Sequence, residues 1–166
     1  MDRMHDLLQT LADEKLTFGT VESLTGGKFA AEATRYPGAS NVFKGALITY
    51  SAKLKTALAG VPEQTIAKEG VVSEAVAKAM AAGGRKALGV DLCIACTGNA
   101  GPTAEPGKAK VGDVYVSVAY KGSTWTVGFS FGEKLGRFDI REKTIAAMIE
   151  MALALFKKPQ EPENPE

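Results

Sequence analysis

Three polar turns carry the residue types that a hydrolase or an anion site needs: ESLTGG (22–27), TYSAKLK (49–55) and TGNAGP (97–102). Each follows a β-prone run. In the first, Ser23 stands where a nucleophile stands in a strand-to-helix turn. A helix beginning after Thr25-Gly26-Gly27 aims free N–H groups and the positive end of its dipole outward. The glycines let an oxyanion or phosphate approach the backbone. An ordinary N-cap followed by a glycine turn is the plainer reading of so short a motif. The second turn offers Tyr50, Ser51, Lys53 and Lys55. Lys55 lies five residues after Tyr50 across a strand–helix junction, so both can face one cleft. A lysine serves as general base when burial or nearby positive charge lowers its pKa towards neutrality; solvated helix lysines are the plain alternative. In the third turn Thr97 offers a hydroxyl, and Gly98 and Gly101 free the backbone for a phosphate or carbonyl, or simply for a tight turn. Arg137, just before the last predicted helix, can hold a phosphate bidentately or sit on the surface. Ser40, in PGASNVF, is either a further reactive hydroxyl or a helix cap.

What is scarce narrows the chemistry. The chain has one histidine, His5, placed on a predicted surface helix. A Ser-His-Asp triad or a His-based zinc site would have to rest on it, so a hydrolase here needs another base. Cys93 and Cys96 form a CxxC, yet they lie in the apolar run DLCIAC. Residues three apart on a strand point to opposite faces, and no second Cys pair exists. They read as buried structural cysteines rather than a redox pair or half a metal site.

The whole chain of 166 residues suits one domain, able to bury roughly 70% of its unfolded surface. Its 20 Lys and Arg against 19 Asp and Glu give a formal net charge of +1, which argues against nucleic-acid binding through bulk charge. No apolar run approaches a membrane span, and MDRMHDLLQTLADEK lacks the apolar core of a signal peptide. A cytoplasmic protein is expected.

The elements that must position the turns follow from periodicity. Leu7, Leu8 and Leu11 mark an opening helix, Thr17–Val21 a strand, and KFAAEATRY a helix broken at Tyr36-Pro37-Gly38. Gly45–Tyr50 is a strand and Ser51–Leu58 a short helix. Ser73 caps a helix running to Leu88, and Asp91–Cys96 is a strand. Val114–Tyr120 and Thr124–Phe131 make a hairpin through Lys121-Gly122-Ser123. Asp139 and Glu142 resemble a capping box for a final helix ending near Phe156. The folded domain is expected over 1–156, with a disordered polar tail over 157–166. Strands alternating with helices plus one hairpin predict an α/β fold, helices covering both faces of a mixed sheet. Sites in such folds gather at strand carboxyl ends.

Read in order, VESLTGG, RYPGAS, GALITYSAKLK, GVPEQTIAKEGVVSE, CTGNAGP and VGDVYVSVA resemble the CinA C-terminal domain family over Val21 to Leu155. The resemblance implies a three-layer α/β/α sandwich with a mixed sheet. It also implies a nicotinamide-nucleotide amidase, which hydrolyses nicotinamide mononucleotide to nicotinate mononucleotide and ammonia in pyridine nucleotide salvage. Carried onto this chain, its functional positions are Ser23, Ser40, Tyr50, Lys55, Thr97 and Arg137. On this reading Ser23 or Ser40 is the nucleophile and Lys55 the base. Tyr50 orients Lys55, backbone groups at Thr25, Gly26 and Gly27 meet the oxyanion, and Thr97, Gly98 and Arg137 hold the ribose-phosphate end. No metal or organic cofactor, no nucleic acid and no membrane is implied as partner, and a homo-oligomer is expected. The chain departs from the family pattern at Leu24, in place of Cys; at Asn99, in place of an aliphatic residue; in TAEPGKAK, in place of a glycine-rich stretch; and before Arg137, where no Asp stands. Many members also carry an N-terminal domain resembling molybdopterin-binding proteins; the expectation here is the stand-alone form. A non-catalytic nucleotide-binding or interaction protein on the same fold, linked to competence or DNA damage, is the alternative function.

Overall fold

A computed structural model describes residues 2–157. Five strands, β1 (Phe18–Glu22), β2 (Phe43–Ile48), β3 (Leu92–Gly98), β4 (Asp113–Tyr120) and β5 (Ser123–Ser130), form one sheet in the order β2-β1-β3-β4-β5. β1 runs parallel to both β2 and β3, whereas β4 and β5 are the antiparallel hairpin. The sheet is therefore mixed, as the alternation of elements requires. Every residue of β1 is buried, the signature of a strand covered on both faces.

Among the described residues six α-helices cover it. α1 (Arg3–Asp13), α2 (Lys28–Ala33) and α6 (Arg137–Ala154) share one apolar core with Phe18, Leu92, Ile94, Cys96, Val116 and Val118. α3 (Ala52–Ala59), α4 (Glu63–Glu69) and α5 (Glu74–Leu88) enclose the other, with Val21, Cys93, Ala95 and Ala119. Alternate side chains of β3 feed opposite cores, so Cys93 and Cys96 are parted by the sheet. Both are free and buried. Burial pushes their thiols up to about 12 and about 11, which leaves them protonated and unreactive at neutral pH.

Close approach on the second face depends on two adjacent glycines of α5. A Cβ on Gly83 would lie 1.6 Å from the Ala59 carbonyl oxygen, and one on Gly84 2.2 Å from Val21 Cγ2. α5 therefore seats α3 and β1 together, and with them Lys55 on α3 and the turn that follows β1.

Several boundaries differ from expectation. α4 has no buried residue and no apolar stripe, so periodicity does not reveal it. α2 stops at Ala33, where the Thr34 hydroxyl donates back to the carbonyls of Ala30 and Ala31. α6 begins at Arg137 with Gly136 as its N-cap and no side-chain cap. Asp139 thus sits inside the first turn, favourable there for its charge, and is not the expected cap. Of the expected disordered tail, only Lys157 falls within the described residues. Among those residues no helix is long and apolar enough to cross a membrane.

Candidate active site

The carboxyl ends of β1, β2 and β3 lie side by side, and β2 and β3 flank β1 on opposite sides. Such a reversal of strand order opens a crevice above the sheet. A cleft of about 480 Å³ occupies it, walled by Ser23 and Leu24 after β1, Tyr50, Ser51 and Lys55 after β2, Thr97 to Gly101 at and just past the end of β3, and Arg137 from α6. All three polar turns of the sequence meet there.

Lys55 is the centre of the site. Only 2% of it is exposed, and its ammonium donates to Ser23 Oγ at 3.0 Å and to the Thr49 carbonyl at 2.7 Å. Burial lowers its pKa from 10.5 to about 8, against a smaller opposing influence of Cys96 and Glu105. A lysine with that pKa holds an appreciable neutral fraction near neutrality, and its lone pair would face the hydroxyl of Ser23. Ser23 is itself buried, at the end of β1. Ser40 is elsewhere: it lies exposed in a 3-10 turn (Ala39–Asn41), outside the cleft walls, and its carbonyl accepts from Lys44 Nζ at 2.8 Å.

The turn after Ser23 overturns the expectation of a free anion site at α2. Gly26 and Gly27 take positive φ values of 58° and 98°, the left-handed conformation that glycine adopts without penalty. The start of α2 is already filled, however. Glu22, fully buried, accepts from the Phe29 and Ala30 N–H groups at 3.0 and 3.1 Å and from the Thr25 and Thr20 hydroxyls at 2.8 and 3.1 Å. The Gly26 N–H donates to the Ser23 carbonyl at 3.0 Å. The anion that complements this helix is therefore the protein's own carboxylate, and Thr25, Gly26 and Gly27 hold the turn instead of facing a ligand.

Arg141, which the sequence reading did not single out, locks the same turn from α6. Its guanidinium donates to the carbonyls of Leu24 and Thr25, both at 2.9 Å. Its signal was its position four residues, about one helical turn, after Arg137. Tyr50 also departs from its expected role. It is 61% exposed, and its hydroxyl accepts from Arg137 Nη2 at 2.9 Å, not from Lys55. Arg137 Nη1 donates to the Gly101 carbonyl at 2.7 Å. Tyr50 and Gly101 thereby aim the guanidinium at the cleft mouth without any neighbouring Asp. Thr97 is buried and spends its proton on the Val71 carbonyl at 2.7 Å, so it meets a ligand as an acceptor. That suits a hydroxyl or amide N–H better than a phosphate.

Comparison with known proteins bears on the whole arrangement. The profile of the CinA C-terminal domain matches residues 2–156. This chain belongs to the CinA C-terminal domain family. It is 38% identical over 148 residues to a CinA-like protein of Flavobacterium psychrophilum, covering 89% of this chain and 34% of that protein. A CinA-like protein of Gloeobacter violaceus is 39% identical over 135 residues, covering 81% and 32%. The chain thus spans about a third of the length of the curated relatives it matches. The fold agrees with solved CinA superfamily structures. The Escherichia coli protein superposes with a TM-score of 0.88 at 25% identity, covering 92% of this chain and 88% of that one. The competence/damage inducible protein CihA of Agrobacterium tumefaciens gives 0.86 at 28% identity, covering 95% and 98%.

Proposed function

We propose that this CinA-family domain is an amidohydrolase that converts nicotinamide mononucleotide to nicotinate mononucleotide and ammonia, in pyridine nucleotide salvage. The observation that carries this reading is the buried contact between Lys55 Nζ and Ser23 Oγ at 3.0 Å, inside a cleft with a cationic mouth at Arg137. A serine beside a lysine of lowered pKa is an activated nucleophile with its base in reach.

In the forward step neutral Lys55 takes the Ser23 hydroxyl proton as Ser23 Oγ attacks the carboxamide carbon. The carbonyl oxygen becomes the oxyanion. Leu24 lines the cleft one residue after Ser23, and its N–H makes no hydrogen bond among the described residues, so we assign it as the oxyanion donor. One such donor is worth about 3 kcal/mol of transition-state stabilisation where it has been measured. The C–N bond then breaks, the Lys55 ammonium delivers its proton to the departing nitrogen, and ammonia leaves. Water attacks the resulting ester with Lys55 again as base, releasing the carboxylate and restoring Ser23. Arg137 holds the phosphate and Thr97 accepts from a ribose hydroxyl or the carboxamide N–H. None of these steps draws on a cofactor.

The test is ammonia release from nicotinamide mononucleotide by the purified chain, with Lys55→Ala as control. Release that disappears in the control supports the amidase. Thermal stabilisation by the same compound without ammonia would instead favour a nucleotide-binding protein of the same fold.

A further inference from the structure

We infer that Glu105 selects a positively charged ring: its carboxylate forms the anionic wall of the cleft against the pyridinium of the substrate, an inference that rests on the amidase reading above. Among the described residues three charged ones line the cleft, Lys55, Arg137 and Glu105. The first two are engaged, Lys55 with Ser23 and Thr49, Arg137 with Gly101 and Tyr50. The Glu105 carboxylate has no ion-pair or hydrogen-bond partner among the described residues, and it is an exposed residue of the cleft wall.

Its placement is built. The Glu105 N–H donates to Oδ1 of buried Asn99 at 3.0 Å. The Asn99 amide nitrogen donates to the carbonyls of Ala109 and Lys110 at 3.4 and 3.3 Å, and its backbone exchanges bonds with Asp113 and Gly112. One buried side chain thus ties the middle of the loop to its far end. This bond makes Asn99 and the TAEP stretch a single device. The carboxylate is also near enough to Lys55 for its charge to oppose the effect of burial there.

The substrate has matching polarity. An N-ribosyl pyridinium carries a fixed positive charge on the ring and a negative phosphate at its other end. Glu105 and Arg137 present the opposite charges in one cleft. A dihydropyridine ring of the same shape has no charge for Glu105 to attract. For an exposed carboxylate the discrimination is about 2- to 5-fold.

The experiment measures calorimetric dissociation constants for nicotinamide mononucleotide and its reduced dihydropyridine form, using the full chain carrying Ser23→Ala to prevent turnover. Glu105→Gln and Asn99→Ile are then added separately. The expected result is a preference of about 2- to 5-fold for the pyridinium that Glu105→Gln erases, with the constant for the reduced form unchanged; Asn99→Ile should weaken the same preference. A preference that survives Glu105→Gln, equal weakening of both ligands, or no binding of either overturns the inference. Ammonia release by the unmodified chain separates the two readings. Hydrolysis with a ring preference indifferent to Glu105 sinks this inference alone, whereas a Glu105-dependent preference without hydrolysis sinks only the amidase.

Discussion

Lys55 Nζ and Ser23 Oγ lie 3.0 Å apart although 32 residues separate them in the chain, and the Thr49 carbonyl holds the same nitrogen at 2.7 Å. A base fixed in this way imposes a pH profile. Burial brings its pKa down to about 8, and only the neutral form can accept the serine proton. We expect kcat/KM to rise about tenfold per pH unit below that value and to level off above it. Lys55→Arg, which cannot deprotonate in this range, should be inactive throughout. A flat profile between pH 6 and 9 would remove Lys55 from the role of base.

The same burial has a cost in stability, and its sign is fixed. The folded pKa lies below the unfolded value, so between about pH 8 and 10.5 the unfolded chain binds more protons and stability climbs with pH. Below pH 8 the full penalty is present, about 3 kcal/mol for a shift of this size. Lys55→Met keeps the volume and removes the charge. Its melting temperature should exceed that of the unmodified protein at pH 7, and the difference should close towards pH 10. A variant that melts lower at pH 7 would show that the bonds to Ser23 and Thr49 outweigh the desolvation.

Glu22 has the opposite balance. Four donors converge on a carboxylate with no solvent contact. Glu22→Ala strands two backbone N–H groups and two hydroxyls, each costing about 1–3 kcal/mol if left unpaired. After relaxation we expect a loss of about 3 kcal/mol, or about 10 °C in melting temperature for a domain of this size. Turnover should fall as well, because the turn carrying Ser23 is anchored there. Differential scanning calorimetry decides it; melting within about 1 °C of the parent would mean that the carboxylate does not hold α2.

Much of this site was legible in the sequence, and the rest was hidden for identifiable reasons. The three turns, the mixed sheet and the parting of Cys93 from Cys96 follow from strand periodicity. The burial of Lys55 does not. In AKLKTALA the apolar residues Leu54 and Leu58 suggest the inward face, yet α3 buries Lys55 and Ala59 and leaves both leucines partly exposed, 38% and 42%. The close contact with Gly83 turns the helix that way. Glu22 escaped notice for a related reason. ESLTGG advertises an anion at a helix start, and nothing local indicates that the anion is the motif's own first residue. The capping box at Asp139 was a coincidence of spacing, since α6 starts earlier, at Arg137 with Gly136 as its N-cap.

Arg137 gives the sharpest check on substrate orientation. Its guanidinium is aimed by the Gly101 carbonyl and the Tyr50 hydroxyl at 2.7 and 2.9 Å, at the first residue of α6, where the helix N-terminus adds to the positive field. If the phosphate docks there, Arg137→Ala should raise KM for nicotinamide mononucleotide about 10- to 100-fold, the loss of a charge-assisted pair, while kcat changes little. Nicotinamide riboside lacks the phosphate, and its kcat/KM should be nearly unaffected by the same substitution. Tyr50→Phe leaves the guanidinium in place with one support fewer, so its effect on KM should be smaller, about 2- to 5-fold if a single neutral hydrogen bond is lost. Steady-state kinetics on both substrates with all three proteins settles the question: an equal loss on nucleotide and riboside would mean that Arg137 holds the turn of Gly101 and not the phosphate.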